Sequence, residues 1–154
     1  MSMLHWLRAA AAAILLLAAP MAHAEEHIVR MLNANPDDPN QTNIFDPPIL
    51  RIEPGDTVTF VPTDSGHNSA TKRGMVPDGA EPWNSGLDER FSVTLTVEGT
   101  YGYVCVPHLE MGMVGLILVG DYTGNFDAAR KVRQIGGARS AFRALFSEVE
   151  EGAQ

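Results

Sequence analysis

The chain predicts an all-β domain, an antiparallel Greek-key sandwich or barrel, completed by two α-helices at its C-terminal end. Three observations carry that expectation. Short stretches alternate polar and apolar residues, Gly- and Pro-rich turns separate them at close spacing, and the period becomes helical only after residue 121.

The first 24 residues stand apart from that pattern. Met1 to Arg8 is a short, positively charged start, Ala9 to Ala19 is an apolar run ending at Pro20, and Ala22-His23-Ala24 has the small-x-small form of a cleavage site. The run falls short of the ~20 residues that span a bilayer. A secretory signal cut after Ala24 is expected, with a membrane anchor as the alternative.

Ile28 to Leu32 (IVRML) forms a first strand, and Asn33 to Asn43 a turn-rich loop. Phe45 to Ile52 is extended but broken by Pro47-Pro48, which suits a sheet edge or a bulge. After the turn Pro54-Gly55-Asp56, Thr57 to Val61 alternates cleanly and reads as a strand with one wet face. Lys72 to Asp88 lacks periodicity and reads as a long surface connection carrying Met75 and Trp83. Phe91 to Val97 alternates again, Glu98-Gly99-Thr100 turns into Tyr101 to Cys105, and Val114 to Val119 closes the sheet.

In the tail, Ala138, Ala141, Phe142, Leu145, Phe146 and Val149 make one stripe of an amphipathic helix. Gly136-Gly137 separates it from a shorter helix around Phe126 to Arg133, capped by Asp121 or Thr123. The expected organisation is a sandwich over 25–120 and a helical extension over 121–154 packed on it.

The net charge is −8. Residues 25–120 carry 5 Lys and Arg against 14 Asp and Glu, which argues against nucleic acid or anionic lipid as a partner. Arg130, Lys131, Arg133, Arg139 and Arg143 group on the tail and read as a solvated helix face. Cys105 is the single cysteine, so no internal disulfide is available. A lone thiol in an exported chain needs a reason to persist.

That reason lies in YGYVCVPHLEMGMVG, residues 101–115, where Cys105 is followed by His108 and Met113. A thiolate, an imidazole and a thioether on one short loop form a soft donor set lacking one ligand, and His67, just past a strand end, is best placed to supply it. In a sandwich, loops from different strands cluster at one end. The set suits neither structural zinc nor calcium or magnesium, whereas copper accepts it in both oxidation states. With no position left for water or substrate, the expected chemistry is transfer of one electron. Met111 competes with Met113 as the thioether donor. Pro107 removes one backbone N–H near the sulfur, and Asn33 and Asn68 serve either as outer contacts or as turn formers.

The segments HIVRMLN, EPGDTVTFVPTDSGHN, KRGMVPDGAE and GTYGYVCVPHLEMGMVGLILVGD, followed by a two-helix tail, resemble the pseudoazurins, periplasmic type 1 copper proteins of the cupredoxin superfamily. The resemblance covers nearly all of residues 25–154. It implies an eight-stranded sandwich with C-terminal helices, and His67, Cys105, His108 and Met113 as ligands to one copper ion, with Met111 as a neighbour. It also implies a monomeric electron carrier, not an enzyme, that serves nitrite reductase, nitrous oxide reductase or c-type cytochromes. The electron would pass through His108, within an apolar patch including Pro107, Leu109 and Met111.

The family's lysine ring is thin here. Ser65, Val104 and acidic Glu110 stand in its neighbourhood, leaving Lys72, Arg73 and Arg51 or Arg90 as cations. A weak or inverted salt dependence with an acidic-faced reductase follows as an expectation. Two further readings are open: a periplasmic copper carrier or buffer without a redox role, and a second, square-planar metal site at His27 if the processed chain starts at Glu25.

Overall fold

The structure is a computed structural model and describes residues 24–152; apart from Ala24, the signal segment expected at residues 1–24 lies outside them. Eight strands run in chain order as β1 (Glu26–Ala34), β2 (Thr42–Asp46), β3 (Ile49–Ile52), β4 (Thr57–Pro62), β5 (Ala70–Thr71), β6 (Phe91–Thr94), β7 (Gly99–Val104) and β8 (Val114–Val119). Two helices follow, α1 (Thr123–Lys131) and α2 (Gly136–Glu151). The strands form two four-stranded sheets, ordered β2-β1-β4-β6 and β3-β8-β7-β5. This is the expected eight-stranded sandwich with two C-terminal helices.

The pairing is mixed and not wholly antiparallel. β1 runs parallel to β4 and β3 parallel to β8, while the other neighbouring pairs are antiparallel. Pro47-Pro48 explains part of this. It splits the extended run into β2, at the edge of one sheet, and β3, at the edge of the other, so the chain changes layer there. Pro is tolerated because neither position needs a ladder N–H.

Between the sheets lie Val29, Phe45, Val58, Phe60, Tyr101, Tyr103 and Ile117, among others. Phe45, Phe60 and Tyr103 meet edge to face, with centroids 4.7 to 6.2 Å apart. The second sheet is buried on its outer face too. There Val104, Val114, Leu116 and Leu118 pack on Ala129, Ala138, Phe142, Phe146 and Val149 of the helices. Every residue of β7 and β8 is therefore buried, and β8 reads as a continuous apolar run, as strands covered on both faces do.

The Lys72 to Asp88 stretch departs from a surface connection. Met75 and Trp83 are buried, Met75 against the helices and Trp83 between the sheets, where its indole N–H donates to Ser69 Oγ at 3.0 Å. The Phe91 strand ends at Thr94, three residues before the expected Val97; Leu95, just past it, is buried, its N–H donates to Asp56 O at 3.0 Å and its carbonyl accepts from Gly55 at 2.8 Å. Neither Asp121 nor Thr123 is the N-cap of α1, which is Tyr122 without a side-chain cap; Asp121, one residue earlier, accepts the N–H of Thr123 at 3.1 Å and the Thr123 hydroxyl at 2.6 Å. Gly136 and Gly137 are the first residues of α2 and not a gap before it. A Cβ on Gly137 would lie 2.7 Å from Glu110 O and 2.8 Å from the Met111 carbonyl carbon, so only glycine lets the helix start against that loop.

Candidate metal centre

His67 lies on the connection that leaves β4 and leads to β5. Gly66 takes a left-handed turn at φ +98°, and Asp88 accepts the N–H of Gly66 at 2.6 Å and of His67 at 3.2 Å. The ring is fully buried. Its Nε2 lies 2.9 Å from Asn33 Oδ1 at the end of β1. Because a carbonyl oxygen accepts, Nε2 carries the proton and Nδ1 keeps its lone pair for the interior.

Cys105 and Met113 face each other across the mouth of the β7–β8 hairpin, where the Cys105 N–H donates to Met113 O at 3.0 Å. Between them His108 O accepts the N–H groups of Met111 at 3.0 Å and Met113 at 3.2 Å. Those bonds wind Leu109–Met111 into a single 3-10 turn that ends at Gly112, φ +96°. Asn68 Oδ1 accepts the N–H of Val106 at 2.8 Å and so ties the loop to the His67 segment. Asn33 and Asn68 thus act as outer contacts rather than turn formers.

The donor atoms converge. His67 Nδ1 lies 3.8 Å from Cys105 Sγ, His108 Nδ1 lies 3.5 Å from the same sulfur, and the two nitrogens are 3.2 Å apart. Three donors bound at about 2.0–2.3 Å in tetrahedral directions around one ion sit roughly 3.3–3.8 Å from one another, so the set is close to what a single metal ion needs. It is the one His/Cys/Asp/Glu cluster with metal-ligand spacing among the described residues. Met113 is fully buried beside Cys105 in the same cluster, whereas Met111 is 67% exposed and receives an N–H from Asn43. The two methionines that spacing left open thus differ in burial.

Burial is the leading electrostatic influence on His67 and Cys105. Burial lowers the His67 pKa, with the neighbouring His108 adding to the effect, while Asp64 and Asp88 pull against it. Burial raises the Cys105 thiol; the backbone N–H groups of Asn68 and His108 oppose that rise. Metal binding therefore has to displace the thiol proton, the usual coupling at a thiolate site.

Some expectations move. Arg51 sits over the Tyr122 ring at 5.2 Å, beside Leu118 at the far end of β8, and Arg90 lies near Glu26 at the start of β1. Arg51 is therefore not a cation of the metal-bearing end, whereas Arg90, just before β6 and two residues after Asp88, starts at that end and turns its guanidinium toward Glu26. Leu109 is half-exposed and packs partly on the helix cluster, while Val106, Pro107 and Met111 on the same loop are exposed. The His27 ring is held 2.9 Å from Asp56, and its backbone pairs with Val58 in the β1–β4 ladder, so a square-planar amide site there would have to unpair the strand. Asp88 escaped notice altogether. It comes from 21 residues away and no local pattern marks it.

A sequence profile described as copper binding proteins, plastocyanin/azurin family, matches residues 36–120. The pseudoazurin of Paracoccus pantotrophus is 43% identical over 94% of this chain and 97% of its own length. Among solved structures, a pseudoazurin from Sinorhizobium meliloti superposes with a TM-score of 0.79 at 43% identity, covering 83% of this chain and 98% of that one. The pseudoazurin of Hyphomicrobium denitrificans does so with a TM-score of 0.74 at 35% identity, covering 80% and 97%. With a His/Cys/His cluster at the end of a two-sheet sandwich, the chain belongs to the pseudoazurin family of cupredoxins, copper proteins that carry electrons and are not enzymes.

Proposed function

We propose that this protein is a periplasmic one-electron carrier whose His67, Cys105, His108 and Met113 bind one copper ion. The observation that carries the proposal is the convergence of two imidazole nitrogens and a cysteine sulfur from two different loops at one end of the sandwich, His67 and Cys105 buried and His108 half-exposed. When bound, copper supplies a Cu(I)/Cu(II) couple that the donor set tolerates in both states.

The chain's own residues would serve that couple by staying still. Asn33 fixes the tautomer and tilt of His67, Asp88 pins its backbone, and Asn68 holds the Cys105 loop against it. Burial of His67, Cys105 and Met113 excludes water. His108 alone is half-exposed, framed by exposed Val106, Pro107 and Met111, and provides the way out for an electron. An apolar rim of this kind suits brief docking to another redox protein. Nitrite reductase, nitrous oxide reductase and c-type cytochromes are the proposed partners, and residues 1–24 are the proposed export signal.

Adding Cu(II) to the metal-free protein tests the reading. An intense visible thiolate-to-copper band with reversible one-electron cycling is expected. Copper uptake without that band or cycling would instead describe a periplasmic copper buffer.

A further inference from the structure

The methionines among the described residues are unequally placed. Met31, Met75 and Met113 are fully buried in the two cores, whereas Met111 is 67% exposed on the ligand loop. Its backbone is held by the N–H bond to His108 O at 3.0 Å and by the left-handed turn at Gly112. The loop therefore presents this thioether at a fixed place on the surface.

The Asn43 side-chain Nδ2 stands 3.5 Å from the Met111 sulfur, although the two residues are 68 apart in the chain. Asn43 itself sits at φ +53°, a left-handed conformation that asparagine tolerates better than most residues. A thioether is a weak acceptor. An amide donor is thus aimed at a group that makes little use of it. Both residues line a groove of about 620 Å³ between β2 and α2, so a small solute reaches the sulfur from solvent.

We propose that Met111 is an oxidation site for hydrogen peroxide and that Asn43 is the positioning residue that receives the product. The sulfur lone pair attacks one peroxide oxygen, and an S–O bond forms as the O–O bond breaks. Hydroxide leaves and takes the proton from the transferred oxygen, giving water and the sulfoxide. The sulfur loses two electrons and the peroxide gains them. The sulfoxide oxygen is a strong acceptor where the thioether was weak, so the Asn43 amide then makes a full hydrogen bond. That amide also stabilises the negative charge gathering on the transferred oxygen, so the epimer whose oxygen faces Asn43 predominates. Given the electron-carrier reading, on which this last consequence rests, a polar oxygen enters the apolar rim beside His108 and weakens docking through it.

The test treats the copper(II)-loaded protein with hydrogen peroxide and locates the added oxygen by peptide mass spectrometry. One oxygen should appear on Met111 before any appears on Met31, Met75, Met113 or Cys105, with the visible band retained. First oxidation at a buried sulfur would overturn the site. Reductases specific for each sulfoxide epimer should show one in about fivefold excess, the effect of one hydrogen bond. In Asn43→Asp, which keeps the left-handed backbone and removes the donor, that excess should disappear. Equal epimers in the parent, or the same excess in the variant, would overturn the role given to Asn43. Electron self-exchange between the copper(I) and copper(II) forms, in which a second copy of the chain is the partner, should slow about tenfold on oxidation. In Met111→Leu, peroxide should leave the exchange rate at whatever value the variant starts from. An unchanged rate in the oxidised parent would overturn the effect on docking. Locating the oxygen needs no electron transfer, so failure at Met111 and failure of the carrier reading are told apart.

Discussion

His67 and His108 reach the same point in space from two differently built regions. His67 is fully buried, its Nε2 bonded to Asn33 and its N–H to Asp88. His108 is half-exposed, and no hydrogen bond reaches its Nε2 among the described residues. One region is fastened by side chains from β1 and from a distant turn, Asn33 and Asp88. The other is fastened by its own backbone turns, by the Asn68 side chain and by the start of α2. A single centre thus combines a fixed wall with an accessible edge, which is what exchange of an electron without loss of the ion requires.

The comparison breaks most sharply if each ring is removed. In His67→Gly and His108→Gly the visible band should be lost, and added imidazole should restore it in His108→Gly alone, because only that cavity opens to solvent. Equal rescue of both variants, followed by absorption spectroscopy, would mean that the walls are alike.

Asn33→Ala attacks the fixed side. Loss of a bond that orients a ligand imidazole typically lowers metal affinity by about 10- to 100-fold, measurable by competition with a copper chelator. An unchanged affinity would show that burial alone holds His67.

Gly137→Ala attacks the other side. Its Cβ would meet Glu110 O at 2.7 Å, so the ligand loop or the helix must shift. A destabilisation of about 1–3 kcal/mol is expected in denaturant melts, with spectral changes confined to His108 and its loop. Perturbation centred on His67 would refute the separation of the two regions.

Asp56→Asn is the remote control, with the smallest effect. Asp56 accepts N–H bonds from Glu25 at 2.8 Å and Glu53 at 3.0 Å and lies 2.9 Å from His27. The Glu25 N–H, followed by His27, lowers its pKa. A carboxyl depressed in the folded state contributes stability above its unfolded pKa and loses it as pH falls through the folded value. The variant should therefore lose about 1 kcal/mol at neutral pH and converge with the parent in strong acid, with the copper spectrum unchanged throughout.

Sequence made these two regions unequally legible. Cys105, His108 and Met113 fall within nine residues, so the loop region was visible as a donor set. His67 had to be found by its place after a strand, and its supports Asn33 and Asp88 lie 34 and 21 residues from it. Strand alternation gave β4 but could not foresee that β1 runs parallel to it, since both pairings bury the same residues. Met75 and Trp83 read as surface because their stretch has no period; irregular backbone nonetheless carries them into the two cores. Arg130, Arg133, Arg139 and Arg143 line one cleft between the helices, and the helices had to be placed before those four scattered cations could become one surface.

The double burial of β8 has a consequence for how the molecule opens. Val119 and Ile117 belong to the core between the sheets, while Leu116 and Leu118 belong to the core under the helices. Neither core can be exposed without disturbing that one strand. The helices and the sandwich should thus behave as a single cooperative unit, with the amides of β8 among the last to exchange with solvent. The loop that begins where β7 ends and closes where β8 starts would then be anchored to the least yielding part of the chain.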